Sequence, residues 1–134
     1  MREYVYDPVR KKRVALTPEE EVRQQLIREL SKNLGYPLHL MCCEYSITIN
    51  RLRYRGDLVV FNREGVPLLL AECKAPEVDI SRESFMQILR YNSAIKVSYL
   101  LLTNGLNTFV AKIDTTTGEY KFLTSIPQYN ELSK

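Results

Sequence analysis

Histidine and cysteine are scarce in this 134-residue chain, which holds one and three of them. Adjacent Cys42 and Cys43 lack the spacing of a zinc motif, and three cysteines cannot all pair as disulfides. Because Cys42, Cys43 and Cys73 lie in apolar stretches, we expect buried free thiols. The only histidine, His39, has no serine or cysteine nucleophile arranged around it. A metal-free hydrolase of the Ser-His-Asp or Cys-His type is therefore not indicated.

Long apolar runs are absent as well. No stretch approaches the roughly 18 residues that a membrane span requires, and residues 1–7 lack the apolar core of a signal peptide. We therefore expect a cytoplasmic protein without a membrane partner. The chain also lacks the Gly-x-x-x-x-Gly-Lys-Ser/Thr motif, so any ATP-driven translocation would have to come from elsewhere.

The bulk composition is that of an ordinary globular domain, with 45% hydrophobic and 26% charged residues. We expect one domain over residues 1–134, with a short hairpin or arm over residues 3–14, a core over residues 17–123 and a loose tail or short helix over residues 124–134. The net charge of +3 permits contact with nucleic acid but supports it only weakly.

The first helix has clear start and stop signals. Thr17 is a good N-cap, Pro18 suits the first helical position, and Glu20 is placed to complete a capping box. Gly35 should end the helix.

The order of the remaining elements predicts a mixed sheet. A second helix follows Ser81 and lies between two apolar strands, one ending at Lys74 and one over residues 97–103. That helix is a crossover, so the two strands should be parallel neighbours. An α/β fold with helices on both faces of the sheet follows, with further strands over residues 40–49, 57–61, 108–113 and 120–123.

The residues that organise the chain lie on a hairpin of two apolar strands joined by a polar turn. Asp57 opens the first strand, and Glu72 and Lys74 close the second. Because strand side chains alternate between faces, Glu72 and Lys74 point the same way, and the hairpin should bring Asp57 near Glu72. A surface ion pair between Glu72 and Lys74 is the plainer alternative, but it does not explain charges at the end of the most apolar strand.

Two carboxylates and an ammonium in one small region suit a hydrolase that uses a divalent metal. Mg²⁺ prefers oxygen ligands and keeps several waters, so Asp57, Glu72 and the backbone carbonyl of Cys73 would form a sufficient site, in which Mn²⁺ could substitute. Lys74 would hold the attacking water or stabilise the charge that develops on phosphorus.

Basic residues cluster at two places. Arg51, Arg53 and Arg55 alternate along a strand that leads into the carboxylate region, which favours contact with nucleic acid. Lys11 and Lys12 lie in a four-residue basic run, for which phosphate contact and a solvated turn are equally good interpretations.

The pattern Gly56-Asp57 followed by Glu72-Cys73-Lys74 resembles the signature of the PD-(D/E)XK nuclease superfamily, with Gly-Asp in place of the older Pro-Asp element. Four blocks extend the resemblance to the N-terminal nuclease domain of type I restriction enzyme motor subunits, and to small stand-alone bacterial proteins built from that domain. These blocks are residues 6–12, 16–24, 68–76 and 99–105. The resemblance implies a restriction-endonuclease-like core in which Asp57, Glu72 and Lys74 are catalytic.

The same resemblance implies further site residues. Its helical Gln-x-x-x-Tyr motif corresponds to Gln87 and Tyr91, which share a helix face, although a solvent-facing glutamine and a core-edge tyrosine are plainer explanations. An acidic residue of the first helix joins the metal site in some relatives. Glu20 matches that position, with helix capping as its plainer explanation.

The expected function is therefore a Mg²⁺-dependent deoxyribonuclease, an endonuclease rather than an exonuclease. Cutting both strands of DNA would need two sites, so a homodimer or partner subunits are expected. The alternative is a non-catalytic nucleic-acid-binding or scaffold module that retains the nuclease fold. The small basic excess favours that alternative, whereas the intact trio of Asp57, Glu72 and Lys74 argues against it.

Overall fold

The computed structural model describes residues 2–132, apart from the side chains of residue 47 and of residues 91–94. An N-terminal hairpin comes first, with β1 at Tyr4–Asp7 and β2 at Lys12–Ala15. The two α-helices are α1 at Pro18–Arg28 and α2 at Arg82–Ile95. Six further strands form the main sheet: β3 Met41–Ile49, β4 Leu52–Phe61, β5 Pro67–Cys73, β6 Tyr99–Thr103, β7 Thr108–Ile113 and β8 Tyr120–Phe122.

The six strands lie in the order β3-β4-β5-β6-β7-β8, so each strand neighbours the one before it in the chain. Only the β5–β6 pair is parallel, with Leu70 opposite Leu100, and α2 makes the crossover between these strands. The sheet is therefore mixed, and the predicted parallel pair is confirmed. Within residues 2–132, no helix combines the length and apolar character needed to cross a membrane.

The core consists of two apolar layers, one on each face of the sheet. Side chains alternate along β4, because Leu58 and Val60 belong to one layer and Val59 to the other. The first layer contains Ile27 of α1, and the second contains Phe85 of α2. Helices therefore cover both faces of the central strands, as the sequence predicts.

Helix α1 begins as expected, because the Thr17 hydroxyl accepts a hydrogen bond from the Glu20 backbone N–H at 3.1 Å. The regular helix ends at Arg28 and continues as a π-helical turn over Glu29–Asn33. Gly35 then takes a φ of +76°, a conformation that favours glycine, and the chain turns away.

The expected loose tail is wrong for residues 126–132. A short 3₁₀ helix spans Tyr129–Glu131, and Leu132 is 3% exposed. The Tyr129 hydroxyl donates to the Phe61 carbonyl at 3.0 Å, and its ring packs edge-on against Tyr36. Apolar side chains within the polar segment therefore anchor it to the core, which confirms the alternative of a short helix.

Strand β4 begins at Leu52, so Asp57 lies in mid-strand and the prediction that it opens the strand is wrong. Strand β4 pairs with β3 from Leu52 to Val60, but its pairing with β5 begins only at Leu58. Residues 45–56 therefore form a two-stranded extension of the sheet, which we call the β3–β4 ribbon. Its tight turn uses Asn50 and Arg51, both with positive φ.

Candidate active site

Asp57 and Glu72 meet where β4 and β5 separate. Leu58 pairs with Ala71, so the next residue on each strand would be Asp57 opposite Glu72, but the regular pairing stops there. The Asp57 carboxyl group lies close enough to Glu72 for its charge to act on that side chain. The structure therefore brings together the two acidic residues that the sequence predicts to meet.

The environment of Glu72 disfavours its ionised form. Burial, followed by the charge and hydrogen bond of Asp57, raises the pKa of Glu72 to about 8. Lys74 and Arg55 act in the opposite direction and lower that pKa. The pair is thus a concentration of negative charge that nearby cations only partly neutralise.

Asp57 is held in place from two sides. Its Oδ2 accepts a hydrogen bond from the backbone N–H of Cys73 at 2.7 Å. Its backbone carbonyl accepts one from Nη1 of Arg23, on α1, at 3.1 Å. These contacts tie the carboxylate to β5 and its strand to α1, so Asp57 is preorganised.

The glycine before Asp57 permits a close approach to β5. A Cβ atom added to Gly56 would lie 2.1 Å from Cδ1 of Leu70, far inside van der Waals contact. Leu70 is 1% exposed and has little room to move. The Gly-Asp sequence therefore lets the strand sit close enough for Asp57 to reach β5.

Lys74 follows directly after the end of β5. Its backbone N–H donates to the Thr103 carbonyl at 2.9 Å, which continues the hydrogen bonding between β5 and β6 by one residue. Its side chain is exposed and lines the same cleft as Glu72. The structure thus places Lys74 beside the carboxylates, as predicted.

A cleft of about 420 Å³ opens beside Glu72. Residues from β4, β5, β6, the loop after β5 and α2 line it: Arg53, Tyr54, Arg55, Leu70, Glu72, Lys74, Val78, Asp79, Ile80, Ser84, Gln87, Ile88, Ile95 and Leu102. Gln87 is exposed on α2 and faces this cleft, so the structure brings it to the site. Tyr91 lies one helical turn further along α2, and its side chain is outside the described residues.

The structure does not bring Glu20 to the two carboxylates. Its Oε2 accepts hydrogen bonds from Arg10 at 2.7 Å and Gln24 at 3.0 Å, and its Oε1 lies 3.3 Å from Arg23. Both carboxylate oxygens of Glu20 therefore have partners on Arg10, Gln24 and Arg23, and its role as a metal ligand stays a prediction. Thr17 does cap the helix, but the Glu20 side chain pairs with these residues instead of completing a capping box.

Sequence reasoning missed the two charged residues that surround Asp57 from the α1 side. Arg23 is 8% exposed, and Glu44 lies opposite Asp57 on β3 with a φ of +55°. The Glu44 carboxylate lies within 4 Å of Arg10, Arg23 and Arg55, at 3.8, 3.6 and 3.2 Å. The available signal was Arg23 itself, since a charged residue beside the apolar stripe of a helix requires partners.

The predicted basic residues divide into two groups. Arg53 and Arg55 are exposed and line the cleft, and Arg51 lies in the turn at the tip of the β3–β4 ribbon. Lys11 and Lys12 are exposed on the separate β1–β2 hairpin and do not line this cleft. The structure therefore brings Arg53 and Arg55, but not the two lysines, to the carboxylates.

The cysteines are free thiols, as expected. Cys73 is buried, whereas Cys42 and Cys43 are only partly so. Burial raises the pKa of the Cys43 thiol to about 12, and the nearby Asp7 carboxylate acts in the same direction. The Cys43 thiol is therefore protonated near neutral pH and is a poor metal ligand.

The donor groups at the site fit a hard divalent cation. Among residues 2–132, no cluster of three or more His, Cys, Asp and Glu side chains occurs. Asp57 and Glu72 could hold a cation with two carboxylates and the Cys73 carbonyl, and Mg²⁺ requires few protein ligands because it keeps several waters. The mutual repulsion of the two carboxylates is what a bound cation would relieve.

The family model described as "Type I restriction enzyme R protein N terminus" matches residues 18–127 of this chain. The chain belongs to this family. The matched range contains Asp57, Glu72, Lys74 and every element of the six-stranded sheet. No curated protein matches the chain.

Solved structures of similar fold agree with this assignment. A fragment of a candidate HsdR subunit of a type I restriction enzyme from Vibrio vulnificus YJ016 has a TM-score of 0.64 at 20% identity. The match covers 88% of this chain and 25% of that one, so this chain corresponds to about a quarter of the Vibrio protein. A candidate nuclease of DUF820 from Anabaena variabilis ATCC 29413 has a TM-score of 0.52 at 14% identity, with coverages of 97% and 83%. The restriction-endonuclease-like fold expected from the sequence is thus confirmed.

Proposed function

We propose that this domain is a Mg²⁺-dependent nuclease that hydrolyses DNA phosphodiester bonds. The observation that carries the proposal is the meeting of Asp57 and Glu72 where the β4–β5 pairing ends, beside a cleft that Glu72 and Lys74 line together. Membership of the restriction enzyme R family supports the same chemistry. The exposed arginines at the cleft, Arg53 and Arg55, suit an anionic substrate.

Four residues at or beside the cleft have distinct tasks in this proposal. Asp57 and Glu72 would hold the cation, which supplies charge neutralisation and a more acidic water. The Lys74 ammonium would position that water and stabilise the negative charge that develops on the phosphate oxygens. Gln87, which lines the cleft from α2, would orient the water or the phosphate.

We further propose endonuclease action in an assembly with more than one active site. One domain carries one Asp57–Glu72 pair, so cutting both strands of a duplex requires a second copy or successive binding events. The Vibrio relative is described as a subunit of a type I restriction enzyme, and this chain matches only a quarter of it. We therefore propose that this domain works together with partner subunits.

Cleavage of plasmid and linear DNA with Mg²⁺ or Mn²⁺ tests the nuclease proposal. Asp57→Asn and Glu72→Gln should each reduce cleavage at least about 100-fold, because each removes one of the two carboxylates. Lys74→Ala should reduce turnover while Mn²⁺ binding, measured by calorimetry, is retained. The matched control is Glu77→Gln, which removes an exposed carboxylate outside the set of residues that line the cleft.

Cleavage that persists in excess chelator, or that survives Glu72→Gln, would reject the metal mechanism. Failure to bind Mn²⁺, together with DNA binding by the wild-type protein, would favour the non-catalytic module instead. Thermal unfolding of each variant in the absence of metal shows that the loss of activity is not a loss of fold.

A further inference from the structure

The β3–β4 ribbon projects beyond the rest of the sheet. Residues 52–56 of β4 pair with β3 on one side but have no ladder partner on β5. At about 3.3 Å per residue, these five residues extend the pair by about 16 Å. The fold therefore carries a narrow two-stranded arm whose base is the candidate active site.

The arm is basic where it faces outward. Arg51, Arg53 and Arg55 are exposed, and Leu52 between them is 61% exposed. Over residues 45–56 the sequence contains these three arginines and no acidic residue. Such a surface attracts a polyanion, and its charge is concentrated on one element instead of spread over the domain.

The arm and the Glu72–Lys74 end of the candidate site share one cleft. Arg53, Tyr54 and Arg55 line it together with Glu72 and Lys74. A polyanion held along the arm would therefore be led directly to the groups that we propose to cut it. An arm used only for structural packing would not need exposed arginines continuous with a cleft.

We propose that the β3–β4 ribbon is a clamp that lies along a groove of duplex DNA and contacts its phosphates through Arg51 and Arg53. This inference rests on the proposed function, which makes DNA the substrate. The major groove is about 12 Å wide and admits a two-stranded β-ribbon, whereas a flexible single strand offers no groove to fill. The clamp therefore selects duplex over single-stranded DNA.

The test measures binding to a labelled 20-base-pair duplex and to a single strand of the same length, over a series of salt concentrations without divalent metal. Arg51→Ser/Arg53→Ser should weaken duplex binding about 10- to 100-fold and lower the salt slope by about two, since two phosphate contacts are removed. Arg55 is left intact because its charge lowers the pKa of Glu72.

The matched control is Arg63→Ser/Lys121→Ser. This double variant removes the same charge from exposed positions, one in the turn at the opposite end of β4 and one on the far edge strand. Its duplex affinity should stay within about twofold of wild type. An equal loss in both double variants, or none in the ribbon variant, would overturn the clamp, as would tighter binding to the single strand.

Failure of the clamp and failure of the nuclease can be told apart. Wild-type cleavage with Mg²⁺ is measured beside the binding series. If the wild-type protein cleaves DNA and the ribbon variant binds the duplex as tightly as wild type does, only the clamp is rejected. If the ribbon variant binds the duplex more weakly than wild type does, but the wild-type protein does not cleave DNA, the nuclease is rejected and the clamp is retained. Thermal unfolding of the ribbon variant shows whether the fold is intact, and the single change Arg53→Lys, which keeps the charge, should retain most of the affinity.

Discussion

Replacing Glu72 with glutamine should stabilise the metal-free protein near neutral pH. Glutamine resembles the protonated carboxyl group in shape but cannot ionise. In the folded chain, burial and the adjacent Asp57 raise the pKa of Glu72 to about 8 from an ordinary value of 4.5. Near neutral pH the folded wild-type protein must therefore either take up a proton at Glu72 or hold an unfavourable charge there, and the variant has neither cost.

The sign of the pH dependence of stability follows from whether the folded or the unfolded state binds the Glu72 proton more tightly. The folded state holds the Glu72 proton to higher pH than the unfolded state does, so this group's contribution to stability is fully present below about pH 4.5 and is lost as pH rises to about 8. At about 1.4 kcal/mol per pH unit, the loss is about 3 kcal/mol at pH 7 and about 5 kcal/mol above pH 8. Glu72→Gln should therefore match wild type near pH 5 and exceed it by about 3 kcal/mol near pH 7.

Urea unfolding and thermal melts in chelator, from about pH 5 to pH 9, measure this difference. For a chain of this size, about 3 kcal/mol corresponds to a rise in Tm of about 10 °C. Titrations that both proteins share cancel in the comparison. Glu77→Gln, at an exposed position, is the control and should show no pH-dependent difference from wild type. Added Mg²⁺ should stabilise wild type and leave Glu72→Gln unchanged, because only wild type keeps both carboxylates.

A stability difference between Glu72→Gln and wild type that does not change with pH would refute the reasoning. So would a variant that is less stable than wild type at pH 8. Either result would show that the two carboxyl groups do not destabilise each other in solution.

Two further substitutions test how Asp57 is positioned. Gly56→Ala should destabilise the fold by about 1–3 kcal/mol, because the new methyl group meets Leu70, and Leu70→Ala in the same chain should recover part of that loss in urea unfolding. Strictly additive losses would contradict the contact. Arg23→Met should cost about 3–5 kcal/mol, because it leaves the Glu20 carboxylate with one fewer cation and removes the donor to the Asp57 carbonyl. Adding Glu20→Gln should reduce that cost, and a double variant no better than Arg23→Met would show that the pair is not coupled.

The sequence predicts the parts of this structure that depend on local patterns. The N-cap at Thr17, the turn before Gly65 and the crossover between β5 and β6 each follow from residue types at fixed spacing. The meeting of Asp57 with Glu72 is also predictable, because a hairpin of known turn position fixes which residues lie opposite each other.

The parts that sequence reasoning missed depend on distant partners. Glu20 could have served as a helix cap or a metal ligand, and its hydrogen bond with Arg10, on a loop ten residues earlier, was not predictable. The role of Arg23 on α1 was likewise not predictable, since its partners Glu44 and Asp57 lie on strands that are distant in the sequence. The extent of β4 was underestimated because residues 52–56 lack the apolar run that marked the rest of the strand. Residues 52–56 pair only with β3 and lie outside the core, so they do not need an apolar run.

The position of the candidate site has a physical explanation in the sheet itself. Carboxylates in the middle of a fully paired sheet would be buried and inaccessible, whereas carboxylates on a free loop would be poorly fixed. Regular pairing with Asp57 is interrupted on both sides, at Glu72 on β5 and at Glu44 on β3, where the backbone takes a positive φ. Leu58, which follows Asp57 on β4, already belongs to the buried core. The acidic pair thus sits at the boundary between the buried sheet, which fixes it, and the projecting ribbon, which leaves one side open to a substrate.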